Sequence, residues 1–285
     1  MKKFFGIVLI LVGFFIAFLT IKGSVFFETG EGTTAGKRQV QLRDVKDLMI
    51  ETSSIDIDVR EASGNELTLE LEGSGANKAE LLSENRGNQL FVQAKHRQSF
   101  LFNFTSTKLI VYVPASYKNM VSIKTSSGDI TMSGDRTFSS LQLVTSSGDV
   151  KRLAGSFADF DYRSSSGDLA ALKLVTNEAR FTTSSGDIFV KDFQGNVNGE
   201  SSSGDAYIEF ANKNGHVRWS SSSGDLVLHI PEPSYEIELS TSSGDLLISE
   251  PHESVLQQKQ HLKAKVGDGD KQIIVKTSSG DVVVK

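Results

Sequence analysis

The most regular chemistry in the chain belongs to eight aspartates, Asp129, Asp149, Asp168, Asp187, Asp205, Asp225, Asp245 and Asp281, each closing a Ser-Ser-Gly-Asp tetrapeptide. One carboxylate per turn of a periodic fold invites a row of cations, because hard divalent ions collect oxygen ligands. Calcium-binding β-rolls do so on a nonapeptide period, whereas the intervals here are 20, 19, 19, 18, 20, 20 and 36 residues. One Asp per coil is a sparser set, although carboxylates on adjacent coils about 4.8 Å apart could still hold a cation between them. The structural use of the same residues asks for less: Gly reaches backbone angles that other residues adopt only at a cost, and Asp and Ser side chains satisfy the amides that a corner leaves unpaired. The spacing therefore assigns Gly128, Gly148, Gly167, Gly186, Gly204, Gly224, Gly244 and Gly280, with their following aspartates, to structural corners. No metal and no cofactor is expected.

A second constellation is Asp161, Arg163, Lys173, Lys191 and Asp192, charged residues that fall near one another once the repeats are superposed. Glycan-processing enzymes on β-helices concentrate carboxylates and a cationic helper on one face. The same residues also fit a solvated surface, which is the commoner use of such side chains. His96, His216, His229, His252 and His261 share no ligand spacing, and no nucleophile elbow, phosphate loop or metalloprotease helix occurs. The chain reads as a non-enzyme, with a cell-wall glycan-processing enzyme as the alternative. Zero cysteines exclude disulfides and thiolate metal sites, and a net charge of −5 with both signs scattered offers no basic track for nucleic acid.

The elements that carry the corners follow from alternation. One residue after each Asp stand Ile130, Val150, Leu169, Ile188, Ala206, Leu226, Leu246 and Val282. Three after it the column is apolar except for Arg152. Eight and six before it the columns are again apolar, broken only by Gly199. Both flanks are period-two strands, and the inward parity changes across the Gly-Asp, so a bend falls there. Stacked corners predict an all-β, single-stranded β-solenoid (β-helix) with coils of 18–20 residues. Four before each Asp the inward position is always a hydroxyl, from Thr125 to Thr277, which predicts a buried ladder bonding from coil to coil. Gly199 is followed one coil later by the only tryptophan, Trp219, and the indole is expected to fill the space that Gly199 leaves.

Residues 40–285 read as one body: irregular coils over 40–120, regular repeats over 121–285, and an insertion near 251–270. Within the insertion, Glu253 to Lys265 has helix-forming composition, read as a decoration of the edge. Thr52-Ser53-Ser54-Ile55-Asp56 resembles the repeat with Ile at the Gly position. The sequence closes on Asp281-Val282-Val283-Val284-Lys285, straight after a repeat strand, and an uncapped edge there invites end-to-end self-association or docking of a partner strand.

At the other end, Lys2 and Lys3 precede an uncharged apolar run from Phe4 to Ile21. Its length favours a transmembrane signal-anchor helix over residues 1–22 rather than a cleaved signal peptide. The basic flank keeps the N-terminus cytoplasmic and the rest extracytoplasmic, and 23–39 is a Gly/Thr-rich linker. The Thr-Ser-Ser-Gly-Asp-Ile-type repeat after a strand ending at Val113-Pro114, behind such a span, resembles the bacterial adhesin-like domain family of unknown function. The resemblance implies a β-solenoid, a place at the cell membrane and an adhesive or envelope-associated role. Partners in keeping with it are an envelope protein, a cell-wall glycan or a second copy.

Overall fold

The computed structural model describes residues 36–96 and 106–285. The expected membrane anchor and most of the linker lie outside the described residues, and no helix within them is long and apolar enough to cross a membrane. The body, Thr34–Lys285, is all-β. Its first strands are β1 (Lys37–Gln41), β2 (Asp47–Thr52), β3 (Asp56–Ala62), β4 (Glu66–Glu72), β5 (Ala79–Arg86), β6 (Gln89–His96) and β7 (Lys108–Pro114). The repeats supply β8 (Met120–Lys124), β9 (Ile130–Met132), β10 (Arg136–Thr145), β11 (Val150–Ser164), β12 (Leu169–Thr183), β13 (Ile188–Ser201), β14 (Ala206–Phe210), β15 (Val217–Ser223), β16 (Leu226–His229), β17 (Tyr235–Ser243) and β18 (Leu246–Ile248). After them come β19 (Glu253–Gln258), β20 (His261–Val266), β21 (Lys271–Ser279) and β22 (Val282–Val284).

Successive coils stack in parallel, and the two flanks of each corner build two sides. Segments before the corner pair in the order β5-β6-β2-β8-β10-β11-β12-β13-β15-β21-β17-β20-β19, here the first side. Segments after it pair in the order β1-β4-β7-β3-β9-β11-β12-β13-β14-β16-β22-β18, the second side. The inward residues form one continuous core from Leu42 to Val284, as a β-solenoid requires.

Neither end follows chain order. The coil of β2 and β3 lies between that of β6 and β7 and that of β8 and β9. Likewise β21 and β22 slot between β15/β16 and β17/β18. The expected free edge at the C-terminal strand is therefore corrected: β22 has neighbours on both sides, and the terminal coil is β17/β18. The insertion is a β-hairpin, not a helix, with β20 antiparallel to β17 and β19 antiparallel to β20. Helix propensity in Glu253 to Lys265 is a weak bias. The unpaired backbone of β17 and burial of Leu262, Ala264 and Val266 outweigh it.

Two local departures keep the columns filled. Arg152 does not turn inward: it takes φ 57° at a β-bulge, and Leu153 pairs with Ala171 in its place and is buried. Trp219 stands beside Gly199 in register and is 2% exposed, and a Cβ added to Gly199 would fall on indole Cε3. The volume exchange read from the sequence is present.

Candidate binding surface

At the corners the carboxylates are engaged by backbone. Asp56 Oδ1 accepts the amide of Asp129 at 3.0 Å. The bond repeats from Asp149 to Asp129 (3.0 Å), Asp168 to Asp149 (3.1 Å), Asp187 to Asp168 (2.8 Å) and Asp205 to Asp187 (2.8 Å). It continues from Asp225 to Asp205 (2.9 Å), Asp281 to Asp225 (2.8 Å) and Asp245 to Asp281 (2.8 Å). Asp56 thus heads the ladder although Ile55 replaces the glycine. Lys151 bridges Asp129 and Asp149 at 2.6 and 3.2 Å. Burial works to raise the Asp129 pKa, but hydrogen bonds from the Lys151 ammonium and the Asp149 amide outweigh it and hold the carboxyl below the usual range. Among the described residues no group of three or more acidic, His or Cys side chains could hold a metal ion.

The glycines take two forms. Gly128, Gly148, Gly167 and Gly186 donate their amides to the hydroxyls of Thr125 (3.1 Å), Thr145 (2.8 Å), Ser164 (2.8 Å) and Thr183 (2.9 Å). Gly204, Gly224, Gly244 and Gly280 adopt φ between +107° and +136°. The hydroxyl role reverses in the last three of these corners: Ser221, Thr241 and Thr277 donate to the carbonyls of Ser223 (2.9 Å), Ser243 (3.0 Å) and Ser279 (3.1 Å). At the switch, Ser201 Oγ is buried without a partner among the described residues. The coil-to-coil hydroxyl ladder is corrected accordingly, with only Thr52 and Thr125 bonding to each other, at 3.1 Å. Hydroxyls that take the same rotamer on neighbouring coils stay about 4.8 Å apart, beyond hydrogen-bond reach, so in the other corners the nearer backbone of the same corner wins. Tyr162 adds a buried donor, its hydroxyl 2.7 Å from Gly167 O. Burial pushes that phenol up to about 12, so it stays protonated.

The charged residues singled out for catalysis are not brought to one place. Arg163 grips Asp161 through two bonds of 3.1 and 2.8 Å on the first side. Lys173 is engaged by Asp135, Lys191 lies 5.4 Å over the Phe189 ring on the second side, and Asp192 sits at φ 46° within β13's register shift. A shallow depression on the first side does gather Asp159, Asp161, Glu178 and Arg180.

What the columns of inward residues did not reveal lies on the outer face of the second side. Two residues past each corner, Ala170, Phe189, Tyr207, Val227, Val283 and Leu247 pair in register from coil to coil. They form an outward apolar stripe across six coils. Phe189 and Tyr207 stack with centroids 5.2 Å apart. Two of the exposed large hydrophobic residues among the described residues, Leu247 (51%) and Phe189 (38%), belong to the stripe, while Leu172 (54%) falls at the register shift after Ala171. On the earlier coils the same position is polar, with Asp58, Thr131 and Lys151 in register. Reading the position two past Asp as a column would have found the stripe.

A family model described as Toastrack DUF4097 matches residues 45–285. The chain belongs to the Toastrack DUF4097 family. Among solved structures, a candidate adhesin of Bacteroides fragilis is 13% identical, with 90% of this chain and 98% of that one covered and a TM-score of 0.54. That likeness shows the shared fold. A candidate lipid-binding protein of Parabacteroides distasonis is 14% identical over 89% of this chain and 98% of that one, with a TM-score of 0.48. No curated protein matches. In this Toastrack chain the corner ladder builds the scaffold, and the outer face of the second side carries the apolar stripe.

Proposed function

We propose that this Toastrack chain is a membrane-anchored, extracytoplasmic binding module of the cell envelope, not an enzyme, and that it engages an envelope protein through the second side. The carrying observation is the stripe of Ala170, Phe189, Tyr207, Val227, Val283 and Leu247, apolar over six coils on the outward face of strands that are already paired. Contiguous outward apolar side chains add only modest cross-strand pair energy to the monomer and mark contact surfaces, and aromatic side chains are enriched among the residues that dominate such contacts. The uncharged run from Phe4 to Ile21 behind Lys2 and Lys3 supports the anchor and the outward orientation. The adhesin label of the Bacteroides fragilis relative accords with a binding role. The full chain also resembles LiaG, a membrane protein encoded with a cell-envelope stress-sensing system in Bacillus-type bacteria, which supports an accessory role in that response.

The test is recovery of partners by the anchored chain, crosslinked in cells, beside a soluble 37–285 fragment used as bait for cell-wall glycans and envelope proteins. A membrane partner recovered with the anchored chain, and reduced about tenfold or more by Phe189→Glu with Tyr207→Glu, is the expected result, given about 2 kcal/mol for a buried aromatic contact. Both side chains point outward, so the fold should survive. Glycan retained by the soluble fragment alone would make this a wall-binding module instead. The second reading, a glycan-processing enzyme, is favoured by Asp159, Asp161 and Glu178 gathered with Arg180. Sugar release from cell wall that Asp161→Asn abolishes would install it.

A further inference from the structure

The stripe ends at β18, and β18 closes the solenoid differently from every other coil. Each of the first eight rungs of the ladder is filled by backbone. The amide of the next Asp reaches the carboxylate at 2.8–3.1 Å. The carbonyl of that next Asp accepts the amide one residue past the corner at 2.8–2.9 Å, as in Ile130 to Asp149 and Val282 to Asp245. At the ninth rung, Asp245 Oδ1 receives no amide and the Leu246 amide meets no carbonyl among the described residues. The β19–β20 hairpin covers only the first side, projecting two strands past β17. Its cover reaches the corner at Gln260, whose side-chain amide donates to Ser242 O, and stops there. The end of the solenoid is therefore a notch: the hairpin walls the first side, and a bare parallel edge with Leu247 half exposed forms the second.

We propose that this notch is the docking site for an extended segment of a partner protein, which adds to β18 as one further parallel strand. The repeat itself specifies the occupant: a backbone amide for Asp245 Oδ1, a carbonyl for the Leu246 amide, and alternating apolar side chains that continue the core above Ile248 and the stripe above Leu247. Two-fold pairing with a second copy would bring β18 in antiparallel, with amides and carbonyls out of the ladder's register. A head-to-tail copy meets a different obstacle. The hairpin stands two strands proud of the first side, and the far end adds β5 there, against β4 and β1 on the second. By strand count the first sides touch while the second sides remain one strand short, about 4.8 Å. The inference rests on the binding-module reading only in taking the partner from the envelope.

The probe is a dye-labelled peptide with the sequence of residues 275–285, the chain's own last coil, titrated against the full-length protein in detergent and followed by anisotropy. Saturable binding is expected, weakened at least tenfold by Leu246→Pro and, independently, by Asp245→Ala. Proline is accommodated at a strand edge whose amide faces outward, and the fold uses neither the Leu246 amide nor the Asp245 carboxylate; the Leu246 side chain does pack against the core, so the Asp245 variant, with unchanged melting expected, is the control. No saturable binding up to about 1 mM, or equal affinity for wild type and both variants, overturns the proposal. So does a dimer in light scattering that Leu246→Pro dissolves, since a second copy would then hold the edge. The Phe189→Glu, Tyr207→Glu protein, altered four and three coils away, should bind the peptide normally while losing its envelope partner, so the two readings fail separately.

Discussion

Gly148→Ala is expected to cost the body about 3 kcal/mol or more, read as a fall in the urea midpoint with little change in slope. A methyl group there would fall well inside van der Waals contact with the carbonyl oxygen of Gly128 in the coil below, and with its carbonyl carbon. Gly167 stands in the same relation to Gly148, and Gly186 to Gly167. The obstructing atoms are backbone, held by ladders on both sides of the corner, so they cannot yield as a flexible side chain would. Relief would have to come from spreading the coils, which breaks the bonds between Asp149 and Asp129 and between the Ile130 amide and Asp149. Gly64→Ala supplies the contrast. Nothing lies within 4 Å of an added Cβ there and its φ is ordinary, so the change should fall within about 0.5 kcal/mol of neutral. If the two substitutions were equally mild, backbone contact would not be what reserves the corners for glycine.

Trp219→Ala is the second large effect, at about 3–5 kcal/mol from the loss of a buried aromatic side chain and the cavity left behind. The indole is 2% exposed and occupies the column that Gly199 leaves empty. Gly199→Ala should also destabilise, because its methyl meets the indole ring. In a Trp219→Leu background the same methyl should cost less or become favourable. A coupling of about 1 kcal/mol or more in the double-mutant cycle is the expected signature of one shared volume. Additive effects would mean that the two residues merely neighbour each other.

The parts of the fold that were legible in the sequence are those fixed by period. Alternation about Asp129 to Asp281 placed the inward columns, the corners and the exchange of volume between Gly199 and Trp219. Period says nothing about which coil neighbours which. Asp281 fits between Asp225 and Asp245 as well as it would after Asp245, and only the hairpin that turns back along β17 decides. The helix-forming composition of Glu253 to Lys265 misled because a sheet edge offers hydrogen bonds that local propensity cannot weigh. Arg152 looked like a flaw in its column because a bulge adds one residue without marking the sequence. The hydroxyl positions were legible, but their partners were not, since the choice between the corner's amide and its carbonyl follows the glycine φ. The apolar stripe is legible in the sequence too, at the position two past each Asp from Asp168 on, but an outward column does not build a fold and inward alternation does not point to it.

Engagement of a partner through the second side is most directly tested in living cells, with a photoreactive amino acid in place of Val227, of Leu247 or, on the first side, of Ser122. The expected result is one discrete adduct of the same mass from Val227 and Leu247 and none from Ser122, with the Val227 adduct lost when Phe189→Glu and Tyr207→Glu are added. Adducts of equal yield from both sides, or from Ser122 alone, would contradict it and place the working surface of this Toastrack chain elsewhere.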